Sequence, residues 1–256
     1  MQENLLLLNI SIIEGASLIL ALILLFLGFK YLETFWSYKI SKPYAWQTAV
    51  AQKLIPKELL KIESRYRDKV RLYNLWFQVE QLKKNGIRGA FAELGVFKGE
   101  TARVIHHMDQ SRIFYLFDTF EGFTKQDLAK ENQTGDRFSI DMFSATSITQ
   151  VQKHINGNTN LRFKPGFFPD TAQGLESEIF ALVHIDADLY APTTAALNFF
   201  YFKLTHGGVM IIHDYNHNWD GVPKAINEFI GSIPESLIEL SDWQGSAMII
   251  KNSHSL

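Results

Sequence analysis

Two patterns of apolar residues divide this chain. From Asn4 to Phe29, "NLLLLNISIIEGASLILALILLFLGF", Glu14 is the only charge and the apolar surface is unbroken. A membrane span takes about 20 predominantly apolar residues, and Ile10 to Phe29 supplies that length. Tyr31, Phe35, Trp36 and Tyr38 follow as an interfacial aromatic group would. Lys30, Lys39, Lys42 and Lys53 come after the apolar run and no basic residue precedes it, which by the positive-inside rule leaves the bulk of the chain in the cytoplasm. A cleaved signal peptide fits poorly, because a basic leading region and a small-residue cleavage site are missing. The pattern predicts a single-pass anchor over 1–32, with a buried or self-associating helix as the alternative.

Residues 33–60, aromatic, lysine-dotted and broken by Pro43 and Pro56, read as a juxtamembrane connector. Helical spacing then runs through 58–89, with Leu72, Leu75, Trp76, Val79 and Leu82 in one stripe and Asn85-Gly86 as its C-cap pair. From Gly89 the period changes. Short apolar runs alternate with helical ones: "GAFAEL", "ETARVIHHM", "RIFYLFD", "LRFKPG", "IFALVHID" and "GVMIIHD", then a helix from Pro223 and a closing pair, "ESLIELSD" and "SAMIIK". This alternation predicts a Rossmann-like α/β domain over 61–256, with seven mostly parallel strands and helices on both faces.

What ends those strands matters more than the strands. Glu93, Asp118, Gly166, Asp186 and Asp214 close five of them, and a carboxylate is costly to bury unpaired. Ligands of such sheets bind beyond the carboxyl ends of the strands, so four acids point to one crevice. The loop "AELGVFKGET" places Gly95 and Gly99 where the backbone turns tightly into a helix, but it is neither G-x-G-x-x-G nor a Walker loop. Glu93 disfavours a phosphate there and suits a cationic or hydroxyl-bearing guest. Asp118, 25 residues after Glu93, lies near the separation at which an acid meets ribose hydroxyls. Ribose plus a positive group, without phosphates, describes S-adenosylmethionine. Composition narrows the rest. Basic and acidic residues number 25 and 27, so no nucleic-acid partner is implied, and the absence of cysteine removes thiolate metal sites and cysteine nucleophiles.

Five blocks, "AELGVFKGETA", "YLFDTFEGF", "PGFFPDT", "VHIDADLYAPTTAAL" and "GGVMIIHDYN", resemble in order and spacing the macrocin O-methyltransferase family of antibiotic-sugar methyltransferases. The resemblance covers roughly residues 65–250 and leaves the apolar segment outside it. It implies a class I methyltransferase fold that uses S-adenosylmethionine and a divalent metal, usually magnesium, to methylate a hydroxyl of a sugar or other small-molecule or glycan acceptor. By position, Glu93, Gly95 and Gly99 would border the methionine end of the cofactor, with Val96 and Gly166 also at the cofactor. Asp118 would take the ribose, and Asp186 and Asp214 the metal.

Asp186 is the candidate base. Two carboxylates facing one crevice repel, so one of the pair is expected to titrate high. One departure from the family stands out: where it carries adjacent acids before a tyrosine, this chain has His213-Asp214-Tyr215. A histidine suits softer metals than magnesium, and His213 is either a ligand, the base, or a core residue. Asp188 is either a cap for the following helix or a catalytic acid. Residues 120–147, polar and without clear period, read as a substrate lid. The rival class is a membrane-anchored cofactor-binding module that has lost chemistry. Self-association stays open.

Overall fold

The computed structural model describes residues 2–36, 42–123, 128, 131, 139, 141–217 and 220–252, side chains of 2–11 and of Trp36 excepted. The chain divides into two compact units, Met1–Leu54 and Ile55–Leu256. The first holds helix α1 (Gln2–Trp36) and α2 (Tyr44–Ala51). Within α1, the stretch Ile12–Phe35 has a mean hydropathy of 2.5 and none of it is buried. It is long and apolar enough to cross a bilayer.

The second unit is built on a seven-stranded sheet in the order β3-β2-β1-β4-β5-β7-β6. Strands β1 (Ala90–Leu94), β2 (Phe114–Asp118), β3 (Leu161–Pro165), β4 (Phe180–Ile185) and β5 (Leu204–Ile212) run parallel, and β7 (Ala247–Ile250) pairs antiparallel to β5 and to the short β6 (Ile238–Glu239). The expected closing pair is therefore present. Among the described residues, helices α3 (Lys57–Arg65), α4 (Lys69–Lys84), α5 (Glu100–Met108), α6 (Ile148–Ile155), α7 (Tyr190–Tyr201) and α8 (Gly221–Ile230) flank the sheet. Alternation sorts the strand residues by face. Ala92, Leu94, Phe117, Val183, Ile185, Met210 and Ile212 share one core with Leu197 and Phe200 of α7 and Ile226 of α8. The alternate residues, among them Phe91, Glu93, Leu116, His184 and Ile211, point to the opposite face, the side of α4 and α5.

One sequence expectation needs correcting here. The helical pattern through 58–89 is two helices, broken at 66–68. Tyr66 is extended (φ −65°, ψ 127°), and Asp68 caps α4 by accepting from the Arg71 amide at 3.0 Å. The predicted stripe Leu72, Leu75, Trp76, Val79 and Leu82 is buried, and Asn85 ends α4 ahead of Gly86 at φ +65°. The break has a consequence for the site, because it carries the elbow between α3 and α4 across the open end of the sheet. Two bonds set the elbow's position: Tyr66 Oη lies 3.2 Å from Thr101 Oγ1, and the Trp243 amide donates to Asp68 Oδ2 at 2.9 Å.

Candidate active site

A cavity of about 810 Å³ opens beyond the carboxyl ends of β1, β2, β4 and β5, and Glu93, Gly95, Val96, Asp118, Gly166, Asp186, His213 and Asp214 all line it. Sheet register explains how residues far apart in sequence meet. Glu93 sits opposite His184 across the β1–β4 pair. One pleat further on, the His213 amide donates to the Ile185 carbonyl at 2.8 Å, which sets His213 beside Asp186 on the same face.

These side chains form one buried polar chain. His184 Nδ1 lies 3.0 Å from Glu93 Oε1, and Arg71 Nη2 lies 3.1 Å from His184 Nε2. A guanidinium only donates, so His184 Nε2 is the acceptor and its Nδ1–H donates to Glu93. The same Nη2 donates to Asp186 Oδ2 at 2.7 Å, and His213 Nδ1 lies 3.0 Å from both Asp186 Oδ1 and Asp214 Oδ1. Gln244 Nε2 also donates to Asp214 Oδ1, at 3.1 Å.

Charge follows this wiring. Burial would push the Asp186 carboxyl up, but His213 and Arg71 outweigh it and hold the group well below its ordinary range. Burial would lower His213, yet Asp186 and Asp214 bring it up to about 10, so at neutral pH it already holds its proton and cannot act as a base in that state. His184 is driven well down by burial and by Arg71 and stays neutral. The expected high-titrating carboxyl exists, but it is Asp188: burial, then the Asp186 and Asp214 charges, push it well up. The reading of Asp188 as a helix cap does not hold, since Leu189 occupies the cap position of α7 and no side chain caps it.

Two observations bear on a cofactor. Glu93 is 1% exposed, and its Oε2 is buried without a partner on the cavity wall; burial, then Asp186, raises its carboxyl well above normal. Such an acceptor suits an ammonium group. Asp118 accepts three backbone bonds at 2.7 Å each, Oδ2 from the Val96 and Phe97 amides and Oδ1 from Phe120. The acid thus also holds the loop after β1 in shape. Its carboxylate has room for about four bonds, which leaves capacity for a ribose hydroxyl. Gly95 (φ +87°) passes so near β4 that a Cβ would lie 1.9 Å from the Asp186 carbonyl oxygen. Gly99 lies at the turn into α5, between Lys98 and Glu100, which do line the cavity. At φ +81° it packs under Val151 and Ile155 of α6.

The donor set also fits a divalent cation. One ligand atom each from Asp186, His213 and Asp214 lies within 4.8 Å of the others. Neighbouring ligands about 2.1 Å from an octahedral ion sit about 3 Å apart, the spacing seen around His213 Nδ1. A cation there would replace the proton that His213 shares with both acids, and one nitrogen among oxygens favours softer divalent ions over magnesium.

Most of the expected lid lies outside the described residues, which cover only its flanks and isolated positions. Phe143 packs edge-on against both Phe97 and Phe123, and Thr146 Oγ1 donates to the Phe97 carbonyl at 2.7 Å. Glu131 accepts from the amides of Tyr190 and Ala191 at the start of α7.

The sequence did not flag three residues of the site: His184, Gln244 and, least expected, Arg71. Arg71 sits 115 residues before its partner Asp186, in a helix whose apolar stripe reads as structural. Its one local signal was a basic residue three positions past the capping acid.

Residues 66–232 match the model of the macrocin-O-methyltransferase (TylF) family. The chain is 30% identical over 174 residues to the 8-demethyl-8-(2,3-dimethoxy-alpha-L-rhamnosyl)-tetracenomycin-C 4'-O-methyltransferase of Streptomyces olivaceus, covering 63% of this chain and 65% of that protein. It is 32% identical over 160 residues to the mycinamicin III 3''-O-methyltransferase of Micromonospora griseorubida, covering 57% of this chain and 62% of that one. The chain thus spans just under two-thirds of the length of these relatives. Among solved structures, the O-methyltransferase NovP is similar with a TM-score of 0.62 at 25% identity, over 72% of this chain and 81% of NovP.

Proposed function

Because the chain belongs to the macrocin-O-methyltransferase (TylF) family, we propose that it methylates a hydroxyl of a sugar, using S-adenosylmethionine. The observation that carries this reading is a single cavity. It joins an orphaned, buried carboxylate oxygen on Glu93 and the loop held by Asp118 to the cluster Asp186, His213 and Asp214. Both relatives named above are, by their own names, O-methyltransferases, and the name of the Streptomyces olivaceus protein includes a rhamnosyl group, which supports a sugar acceptor.

Bound there, the cofactor supplies a sulfonium methyl. Glu93 Oε2 takes its ammonium, Asp118 a ribose hydroxyl, and Gly95, Val96 and Gly166 give it backbone to lie against. Asp186 would receive the acceptor's proton as the new C–O bond forms and the methyl–sulfur bond breaks, its electron pair leaving with S-adenosylhomocysteine. A carboxylate held this low is a weak base, but the hydroxyl proton becomes strongly acidic as its oxygen gains a third bond, so a weak base suffices. Arg71, and His213 while no cation is bound, keep that carboxylate ionised and fixed, each occupying one of its oxygens. Asp186, His213 and Asp214 would hold a divalent cation, which when bound lends Lewis acidity to the acceptor hydroxyl. Helix α1 anchors the chain in a membrane with the site on the cytoplasmic side, as the lysines after the apolar run suggest.

The test is transfer of label from methyl-tritiated S-adenosylmethionine to sugar-containing extracts by the full chain, with Asp186→Asn as the comparison. Labelled product from the parent protein and a drop of at least a hundredfold in the variant are expected. Equal labelling by both would remove Asp186 from the reaction, and no labelling of any fraction would remove the activity.

A further inference from the structure

The cavity is divided by charge. Its floor is acidic, with Glu93, Asp118, Asp186, Asp188 and Asp214 at the strand ends. Its rim at the elbow between α3 and α4 is basic: residues 65–71 carry four basic side chains and one acid. Two of the four are already used within the fold. Arg71 holds Asp186 and His184, and Lys69 donates to the Glu63 carbonyl. Arg65 and Arg67 are exposed, line the cavity, and among the described residues have no carboxylate partner. Among the described residues, the carboxylates around the elbow are engaged elsewhere. Asp68 accepts from the Arg71 and Trp243 amides, Glu58 from Arg103 and Lys61, and Glu100 faces His154.

Beside these arginines stands Trp243, 83% exposed although it lines the cavity, and joined to the elbow through its amide. A large aromatic left in water at a pocket mouth, next to unpaired guanidinium groups, presents a flat apolar face and a fork for phosphate oxygens together. Sheet order gives the side. Asp118 ends β2 and Gly95 follows β1, whereas Asp214 ends β5 and Trp243–Gln244 lie in the turn before β7, beyond β5. The basic rim therefore runs from the start of α5, after β1, to the turn before β7, on the side of the cavity away from the ribose-side acid that ends β2. A neutral sugar would leave this rim without a role.

We propose that the acceptor sugar carries a phosphate or pyrophosphate group, which Arg65 and Arg67 bind while Trp243 packs against the group on its far side. Resting on the methyltransferase reading above, this makes the substrate an activated glycosyl phosphate, methylated before the sugar is transferred. The phosphate chemistry is shared by two sources, a nucleoside diphosphate sugar and a prenyl diphosphate sugar, and Trp243 suits either a base or a prenyl chain.

The full chain in detergent, saturated with S-adenosylhomocysteine, would be titrated calorimetrically with inorganic pyrophosphate, uridine diphosphate and farnesyl pyrophosphate. Binding of at least one is expected, weakened about tenfold or more in Arg65→Ala/Arg67→Ala and restored in part by Arg65→Lys/Arg67→Lys. Affinity for S-adenosylhomocysteine should be the same in all three proteins. Tighter uridine diphosphate than pyrophosphate supports the nucleotide source; tighter farnesyl pyrophosphate supports the lipid source, and in either case Trp243→Ala should erase the difference. If S-adenosylhomocysteine binds and none of the three probes does, or if the alanine variant binds them undiminished, the phosphate assignment is overturned. Failure of S-adenosylhomocysteine itself to bind would instead refute the methyltransferase reading.

Discussion

Removing Arg71 should unbalance the whole acidic floor. Its Nη2 makes a charge-assisted bond to Asp186 at 2.7 Å and a second contact to His184 at 3.1 Å, with only 12% of the arginine and 22% of the aspartate side chain exposed. A hydrogen bond to a charged group is worth about 1.5–3 kcal/mol and a neutral one about 1 kcal/mol. Breaking a buried pair by truncating one partner costs about 3–5 kcal/mol. Both routes give about 3 kcal/mol for Arg71→Ala, or a Tm fall of about 6–12 °C in a unit of this size. Arg71→Lys should recover part of that, since a point charge replaces a fork. Thermal unfolding of Arg71→Ala, Asp186→Asn and the double variant measures the coupling directly. The double variant should be less destabilised than the two singles added together, by at least about 1 kcal/mol. Strict additivity, or an Arg71→Ala protein that melts with the parent, would show that the pair does not hold the site together.

Other consequences can be checked alongside. His106 is fully buried and pushed down to about 4 by burial and by neighbouring His107, and its Nε2 accepts from the Asn158 amide at 3.2 Å. A histidine with a depressed folded pKa is protonated first in the unfolded chain, so stability is lost as pH falls from about 6.5 towards 4, by at most about 3 kcal/mol. His106→Gln should flatten that part of the pH–Tm curve, and an unchanged slope would assign acid sensitivity elsewhere. Gly95→Ala should cost far more than Gly86→Ala. Both have positive φ, but a Cβ at Gly86 meets nothing within 4 Å whereas at Gly95 it meets the Asp186 carbonyl; equal Tm losses would contradict the close approach. Manganese should raise the Tm of the parent protein by mass action more than magnesium does, and neither should do so for Asp214→Asn. No shift with either ion would rule out the cation reading.

The sheet was legible because its central strands are short apolar runs bounded by turn residues and, in four cases, closed by an acid. The ends of β1, β2, β4 and β5 therefore announced the crevice as well as the fold. What lay hidden was the answer to who neutralises those acids. The expectation that Asp186 and Asp214 repel considered only the acids at the strand ends. In the fold, Arg71 arrives from a helix before the first strand, and His213 from one pleat along a neighbouring strand, so Asp186 titrates low and the repulsion falls on Asp188. The break at 66–68 was hidden for a related reason. Apolar spacing continues across it, and only the tertiary bonds from Tyr66 to Thr101 and from Trp243 to Asp68 show why the helix turns there. Gly99 carries a packing role that its sequence context did not announce. A glycine at a helix start reads as room for a ligand, and here it also gives room to Val151.

The central question is what occupies the floor of the cavity. Calorimetric titration of the full chain with S-adenosylhomocysteine, for the parent protein and Glu93→Gln, tests this most directly. One site per chain is expected in the parent, and an affinity about ten- to a hundredfold weaker in the variant, because a charged partner of the ammonium is lost. No heat of binding in the parent protein, or full affinity in Glu93→Gln, would contradict the assignment of the floor to the cofactor.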